Sequence, residues 1–305
     1  MAKFFVRRLG FAAVVLLLIS VFVFSLSRAS GDPRNLYLDE YATDEMYEAW
    51  GVKLGLDKPL YVQYLTWLGD VMVGDFGESL YHNRNPFDLI KERLPATISL
   101  AVIAFCWAIL VGIPLGVLSA VKRGTFVDYF ARWFALLGQA MPVFWVALMA
   151  ILIFSVELGW LPTSRKGGPD SYIMPALCLG WLPAAALLRI TRGSMLEILD
   201  SEFIKLARAK GVSPVVIIWK HAFRNALIAP VTLAAIIIAS FLTGTVVIES
   251  VFAWPGLGSL SIDAIKNNDF PMMAAIILMF GVFYLTANML VDLLYMALDP
   301  RVRVE

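Results

Sequence analysis

The sequence predicts an all-α integral membrane protein, and three observations support this fold class. Of the 305 residues, 60% are hydrophobic and 16% are charged, whereas soluble domains average about 45–50% apolar and about 25% charged residues. The mean hydropathy is +0.76. Six long stretches contain no Asp, Glu, Lys or Arg. The alternation typical of β-barrels is absent, and helices satisfy their own backbone groups in lipid, so we expect helical spans.

Each of the six stretches is close to or above the length of about 20 residues that a membrane-spanning helix needs. They cover residues 9–27, 94–121, 133–156, 171–188, 225–248 and 270–291. The first is longer than the apolar core of a signal peptide, and no A-x-A-like cleavage site follows it. It is therefore predicted to be a retained span.

The distribution of basic residues predicts the orientation of these spans. The N-terminus, the C-terminus and every second connection between them hold 15 of the 25 basic residues and only 7 of the 24 acidic ones. Both termini are therefore predicted to be cytoplasmic. The expected organisation is a first segment 1–27 with one span, an external loop 28–93, a core 94–295 with five spans and a cytoplasmic loop 189–224, and a tail 296–305. The external loop is rich in Trp, Tyr and Leu, and we expect it to form short helices.

Several kinds of chemistry are excluded by the sequence. The net charge of +1 gives no basic excess for nucleic acid. With only two histidines there is no HExxH zinc site, and the dipeptide Gly-Lys of a phosphate-binding loop never occurs. Cys106 and Cys178 lie inside apolar runs and do not form a disulfide framework. No catalytic residue, metal ligand or bound cofactor is predicted in this chain.

The cytoplasmic loop contains a short amphipathic helix with a signal at each end. Asp200 or Ser201 can cap its start, and Gly211 fits the position after its end that favours a left-handed backbone. Pro214 is suited to begin the next helix. The intervening helix of about nine residues is too short to be stable alone. It either rests on its own membrane domain or docks to a cytoplasmic protein.

The end of this short helix and the residues that follow it resemble a known motif. Ala-Arg-Ala-Lys-Gly at 207–211, followed by His-Ala-Phe-Arg-Asn-Ala-Leu-Ile at 221–228, closely resembles the EAA loop of ABC-importer permeases. The similarity is to the first-permease type of the dipeptide/oligopeptide/nickel branch. Further matching motifs occur in order at 31–33, 54–59, 63–65, 74–79, 94–97, 175–176, 194–197, 249–258 and 299–301.

This resemblance implies a type I ABC-importer permease fold, with a coupling helix between the fourth and fifth spans. It implies a subunit that forms half of the translocation pathway for a small solute in the cytoplasmic membrane of a prokaryote. The implied partners are a second homologous permease, two cytoplasmic P-loop ATPase subunits that bind ATP and Mg, and an extracytoplasmic solute-binding protein. The implied ATPase-coupling residues are Glu202, Phe203, Lys205, Leu206, Ala207, Arg208, Ala209, Lys210 and Gly211.

Periodicity refines the roles expected along the coupling helix. Phe203, Leu206 and Ala207 share one face at helical spacing and are expected to fill a groove of an ATPase subunit. The basic residues are expected to meet acidic groups or solvent. The sequence departs from the family pattern twice, because Leu206 directly precedes Ala207 and because Pro230 follows an alanine where Ile-Pro is usual.

Other residues have two interpretations each. Gln139, Asn288 and Asp292 are candidates for the translocation path, although Asn288 and Asp292, four residues apart, also suit hydrogen bonds to neighbouring helix ends. The turn at Trp254, Pro255 and Gly256 is expected to be either an external gate or a contact for the binding protein. Pro114, Pro142, Pro183 and Pro230 favour kinks, and Gly112 and Gly116 form a small-xxx-small pattern that favours close helix packing.

The solute and the transport class retain alternatives. The branch handles dipeptides, longer peptides, nickel chelates, opines and some glycosides, and its prevalence favours peptides. An ion-coupled secondary carrier would require ionisable residues buried within the spans, and an intramembrane enzyme would require a paired catalytic cluster; neither pattern is visible. An exporter half is disfavoured because no ATPase domain is fused to the chain.

Overall fold

The structure is a computed structural model that describes residues 2–29, 34, 38, 42–53 and 55–298. Within these residues the regular secondary structure is helical throughout. The motif at 31–33 and the tail from residue 299 lie outside the described residues. The helices of the first half are α1 (Ala2–Ala29), α2 (Asp44–Lys53), α3 (Leu60–Met72), α4 (Pro86–Val121), α5 (Phe126–Ala140) and α6 (Val143–Ala150), which continues as a π-helix (Ile151–Glu157).

The second half begins with a 3-10 turn (Pro169–Tyr172) that leads into a long helix. The chain from Pro214 to Ala226 is helical, with a π-helical centre (Ile217–Phe223). The helices are α7 (Ile173–Leu199), α8 (Glu202–Ala209), α9 (Pro214–Val216), α10 (Arg224–Ala226), α11 (Ile228–Gly244), α12 (Val246–Val251), α13 (Leu257–Lys266) and α14 (Phe270–Leu298).

Among the described residues, four helices are long and apolar enough to cross a membrane, or up to six spans result if two bent helix pairs each count as one. The predicted span 133–156 corresponds to a bent pair, because α5 and the helix Val143–Glu157 meet at an angle of 108°; a kink was expected at Pro142. The bend lies at Met141, whose backbone is extended (φ −92°, ψ 133°). Pro142 disfavours a helical conformation at the preceding residue and lacks an N–H to continue the hydrogen-bond ladder. The fifth span is also bent, by 49° between Ala226 and Ile228.

The predicted boundary of the loop 189–224 also needs correction. Helix α7 continues to Leu199, so the segment from 189 onward is helical for a further three turns. Residues 194–199 are mostly strong helix formers, and a Cβ at Gly193 would meet nothing within 4 Å. The helix therefore extends beyond the apolar run that marked the predicted span.

The chain forms two compact units, and the division differs from the expected one. Unit 1 comprises residues 1–95 and 256–286, and unit 2 comprises residues 96–255 and 287–305. The segment 256–286 belongs with the N-terminal part because Leu257 and Met272 pack in one core with Phe76, Leu89 and Ile90. The predicted core 94–295 therefore includes residues 256–286, which pack in the hydrophobic core of unit 1.

In unit 1 the expected short helices of the external loop are present as α2 and α3. Helix α3 packs along α1, where the hydroxyls of Ser20 and Tyr64 are 2.8 Å apart. The Phe24 ring lies 5.4 Å from that of Tyr64 and 5.7 Å from that of Trp67. These contacts hold α3, in the middle of the predicted external loop 28–93, against α1.

In unit 2 helix α7 is approached closely by its neighbours at glycines. A Cβ on Gly112 would lie 2.6 Å from the Ala184 carbonyl oxygen, and one on Gly116 would lie 2.7 Å from the Thr191 Cβ. Gly138 of α5 makes an equally close approach to Trp181. The predicted close packing at Gly112 and Gly116 is confirmed, and α7 is the helix against which α4 and α5 pack.

Candidate functional site

The candidate site is the surface built around α8, and local sequence signals explain why this helix forms. Ser201 occupies the N-cap position with an extended backbone (φ −71°, ψ 153°), and Gly211 adopts φ +76° after the C-terminus. Pro214 begins the next helix. Glu202 and Arg208 lie in the first and last turns, where they complement the helix dipole. The predicted start and end of this helix are confirmed.

One detail of the start differs from expectation. The Ser201 hydroxyl donates a hydrogen bond to the Ile198 carbonyl at 2.5 Å and makes no capping bond to α8. The side chain therefore links the end of α7 to the turn before α8. The neighbouring ion pair between Lys205 and Glu202, at 2.7 Å, is exposed and contributes little to stability.

Helix α8 is held by a single buried side chain. Ile204 is 0% exposed and belongs to a cluster that we call the α8 cluster, which also receives Ala207 and the last turn of α7. An eight-residue helix has too few hydrogen bonds to persist alone in water, so these contacts determine its position. The α8 cluster consists of Val117, Ala120, Met195, Ile204, Ile217, Ala222 and Ala226.

The opposite side of α8 presents apolar groups to the outside. Phe203 is 45% exposed and Leu206 is 56% exposed. Ala207 is half-buried against the α8 cluster, so it does not share the exposed face expected of it; its position next to Ile204 on the helical wheel is the reason. We call the exposed surface the α8 face: Phe203, Leu206 and the surrounding exposed residues Glu202, Lys205, Arg208, Ala209, Lys210 and Gly211.

A buried ion pair lies below the α8 end of unit 2. The Asp128 carboxylate is 2% exposed, and the Arg192 guanidinium donates to both of its oxygens, Nε to Oδ1 at 2.9 Å and Nη2 to Oδ2 at 3.1 Å. Ser119 Oγ donates to Oδ1 at 2.6 Å, and the Gly124 N–H donates to Oδ2 at 3.0 Å. We call these four groups the Asp128 node; they come from α4, the α4–α5 turn, α5 and α7.

The sequence analysis missed this node, although a signal for it exists. Asp128 is the one acidic residue between positions 94 and 156, and Lys122, Arg123 and Arg132 flank it. A lone carboxylate at the end of an apolar segment needs a partner if it is buried. Pairing with a distant basic residue is invisible in the local pattern, because Arg192 is 64 positions away.

The predicted path residues occupy varied environments. Gln139 is exposed and accepts a hydrogen bond from the Arg189 guanidinium, which ties the end of α5 to α7. Asn288 and Asp292 lie one turn apart on α14, and both are half-buried. The structure does not bring Gln139 and this pair together in any contact among the described residues.

At the other end of α7, Trp254 is fully buried. Its indole N–H donates to the Ala96 carbonyl at 3.0 Å, and its ring packs edge-on against Tyr172 at 4.6 Å. The indole of Trp254 is therefore inaccessible in this conformation. Pro255 is half-buried and Gly256 is buried.

Beside Trp254 lies a second buried carboxyl group that sequence reasoning did not single out. Glu249 is 0% exposed, and its Oε1 accepts a hydrogen bond from Thr97 at 2.8 Å. Its backbone carbonyl accepts from the Trp254 N–H at 2.8 Å. We call the group of Ala96, Thr97, Tyr172, Glu249 and Trp254 the Trp254 end of unit 2.

Comparison with known proteins places this arrangement in context. Residues 112–304 match the family model described as binding-protein-dependent transport system inner membrane component, and residues 1–101 match its N-terminal counterpart. The chain is 37% identical over 317 residues to the oligopeptide transport system permease protein AppB of Bacillus subtilis, covering 99% of both chains. It is 36% identical over 306 residues to the glutathione transport system permease protein GsiC of Escherichia coli, covering 100% of both chains.

Solved structures agree with the fold. A chain of the MetNI methionine ABC transporter, in an inward-facing conformation, has a TM-score of 0.55 at 20% identity and aligns with 69% of this chain and 96% of its own length. A chain of an amino acid ABC transporter crystallised with histidines has a TM-score of 0.56 at 17% identity, with coverages of 68% and 92%. At these identities the likeness concerns the fold alone.

Proposed function

The chain belongs to the family of binding-protein-dependent transport system inner membrane components, and from that premise we propose how it couples ATP hydrolysis to import. It is the membrane permease subunit of an ABC importer, a transport component and not an enzyme. Its function involves ATPase, solute-binding and permease partners. We propose that it forms half of a pathway shared with a second homologous permease, driven by two cytoplasmic ATPase subunits that bind ATP and Mg.

The observation that carries this proposal is the α8 face. Two large apolar side chains, Phe203 and Leu206, stay about half exposed on a helix whose other side is anchored by Ile204. The surrounding lysines and arginine provide a charged rim. An apolar centre with a polar rim is the usual composition of a protein interface. We propose that Phe203 and Leu206 insert into a groove of an ATPase subunit and that Lys205, Arg208 and Lys210 meet acidic groups around it.

The proposed orientation places α8 and both termini in the cytoplasm of a prokaryotic cell, in line with the excess of basic residues there. Unit 1 gives the relative direction of α1 and the first part of α14. A cavity of about 390 Å³ is lined both by Ser27 and Arg28, at the end of α1, and by Phe270 and Pro271, at the start of α14. The two helices therefore run antiparallel within this unit.

We propose a peptide as the solute. The names of two full-length relatives specify an oligopeptide and glutathione, which is itself a short peptide. These relatives favour peptides over the nickel chelates, opines and glycosides that the branch also handles. We further propose that Gln139, Asn288 and Asp292 line the path and that the backbone turn at Pro255 and Gly256 acts as an external gate.

The decisive experiment targets the α8 face in the complete transporter. The double variant F203D/L206D places two carboxylates at the centre of the proposed interface, and we expect co-purification of the ATPase subunits in mild detergent to fall at least tenfold. The matched control is V73D, because Val73 is 83% exposed but lies in unit 1. Unchanged ATPase recovery from F203D/L206D would remove α8 as the docking element, and recovery of the wild-type chain alone would remove the importer assignment itself.

A further inference from the structure

The Asp128 node joins the α4–α5 hairpin to α7, which lies far from it in sequence. Asp128 lies in the first turn of α5, Ser119 near the end of α4, and Arg192 in the last third of α7. The carboxylate is 2% exposed and the Arg192 side chain 21% exposed. The hydrogen bonds among the four groups of the node are between 2.6 and 3.1 Å, and Arg132 Nε, one turn along α5, lies 3.6 Å from Asp128 Oδ1.

The electrostatics of the node favour one geometry. A buried carboxylate is costly unless its oxygens are fully hydrogen-bonded. Here a bidentate guanidinium, a hydroxyl and a backbone N–H satisfy both oxygens. Rotating α5 against α7 by a few degrees would break part of this set while leaving the charges buried, so the node resists relative movement of these helices.

Packing alone does not require the node. The glycine contacts of Gly112, Gly116 and Gly138 already bring α4 and α5 against α7. Buried ion pairs are in general weak evidence for stability, since apolar residues of similar volume often stabilise as well, and their best-attested use is to specify one arrangement. We therefore explain the node as a device that fixes the relative position of the helices, and not as a source of stability.

The node and α8 share the same two supporting helices. Ser119 lies between Val117 and Ala120 of the α8 cluster, and Arg192 lies one turn before Met195 of that cluster. Ile204 of α8 packs on these residues. A displacement of α8 thus acts directly on α4 and α7, and the node passes it to α5.

We infer that Asp128 and Arg192 are positioning residues for transport: they lock the α4–α5 hairpin to α7, so that the push of the ATPase subunits on α8 moves these helices as one body. This inference rests on the proposed docking role of α8. Asp128 does not touch solute or nucleotide in this role; it acts through Arg192 and Ser119. Without the lock, α5 is held to α7 by its remaining contacts alone and can slip against it when closure of the ATPase subunits displaces α8 and α7.

The test compares ATP hydrolysis with solute uptake in the complete transporter reconstituted in proteoliposomes. D128N keeps the size of the side chain and removes its charge. We expect ATPase recovery and hydrolysis within twofold of wild type, and peptide uptake per ATP reduced at least tenfold. R123Q is the matched control, because Arg123 forms only an exposed pair with Asp200 at 4.0 Å; its uptake per ATP is expected to stay within twofold.

Two further variants separate positioning from folding. R192Q and D128N/R192Q should lower uptake per ATP by the same factor as D128N, since groups that act as one unit give non-additive losses. S119A, which removes a single donor, should give an intermediate loss with a normal yield of folded complex. If uptake, hydrolysis and folded yield fall in parallel, or if D128N retains wild-type uptake per ATP, the inference is overturned while docking of α8, tested by F203D/L206D, is unaffected.

Discussion

At the Trp254 end of unit 2, aromatic rings and neutral donors close around buried groups, whereas at the α8 end a buried ion pair lies beneath a helix with exposed apolar residues. Trp254 is 0% exposed and Phe203 is 45% exposed. Both ends are attached to α7, the first next to Tyr172 at its start and the second at its last turns. The difference shows how one helix can support both a closed, packed end and an end that leaves large apolar side chains exposed.

The energetic consequences of this difference are separable. Removing a side chain from the Trp254 end takes away packing inside the unit. Removing Phe203 or Leu206 from the α8 face takes away a side chain of which only about half is buried within this chain. Substitutions at the two ends are therefore expected to give opposite patterns of stability and partner binding.

The largest effect on stability is expected from W254A. It removes a fully buried indole and its hydrogen bond to Ala96, and truncation of a buried aromatic residue costs about 3–5 kcal/mol. The thermal midpoint in detergent should fall, while the folded fraction still recovers the ATPase subunits. W160A is the control, since Trp160 is 70% exposed. If W254A instead lost ATPase recovery at an unchanged thermal midpoint, the roles assigned to the two ends of unit 2 would be reversed.

I204A ranks second and acts at the other end. Truncating a buried isoleucine costs about 2–5 kcal/mol. Here we expect the lost packing to free α8 from the α8 cluster without unfolding unit 2. Hydrogen exchange of residues 201–211 should accelerate, and ATPase recovery should fall. L206A, on the exposed face of the same helix, should leave the exchange rates unchanged. Equal exchange in I204A and wild type would mean that Ile204 does not hold α8.

G112A tests the helix that both ends share. The new Cβ would lie 2.6 Å from the Ala184 carbonyl oxygen, a backbone atom that cannot rotate away, and such overpacking typically costs about 1–3 kcal/mol. Thermal unfolding of G112A and of the control G193A, where a Cβ has open space, gives the measurement. A normal midpoint for G112A would show that α4 and α7 can separate at little cost.

The smallest effect is expected from S201A. Loss of an N-cap side chain costs typically about 1 kcal/mol, but the Ser201 hydroxyl makes no capping bond, so we expect less than about 0.5 kcal/mol. S119A, which removes a donor to the buried Asp128, is expected to cost about 1–3 kcal/mol. Thermal midpoints of the two variants decide this order, and a larger loss for S201A would contradict the observed hydrogen-bond pattern.

Much of the architecture could be predicted from local signals. Apolar runs located the long helices, and a cap position, a glycine and a proline located α8 to within a residue. Pro142 marked the place of the bend in the run 133–156, but not its angle of 108°. Pro114 and Pro183 carry the same chemistry and lie within continuous helices, so the residue type alone does not decide whether a helix breaks.

The candidate site was also predictable only in part: its local features could be predicted from the sequence, and its long-range contacts could not. The α8 residues were named correctly as a short amphipathic helix, because capping and periodicity act within a few residues. Ala207 was placed on the wrong side, since periodicity gives relative angles and not which side is covered. Asp128 and Glu249 were missed because their partners, Arg192 and Thr97, are distant in sequence.

The sequence by itself determined the helical membrane class, the family and the position of α8, because hydropathy, capping and motif order are properties of contiguous residues. Only the tertiary structure decided that Ile204 holds α8, that Trp254 is inaccessible and that Asp128 joins α4, α5 and α7. These facts depend on which helices pack together. Burial and ion pairing arise from atoms brought close by folding. For residues 64 positions apart, such as Asp128 and Arg192, the local sequence does not indicate that they will be paired.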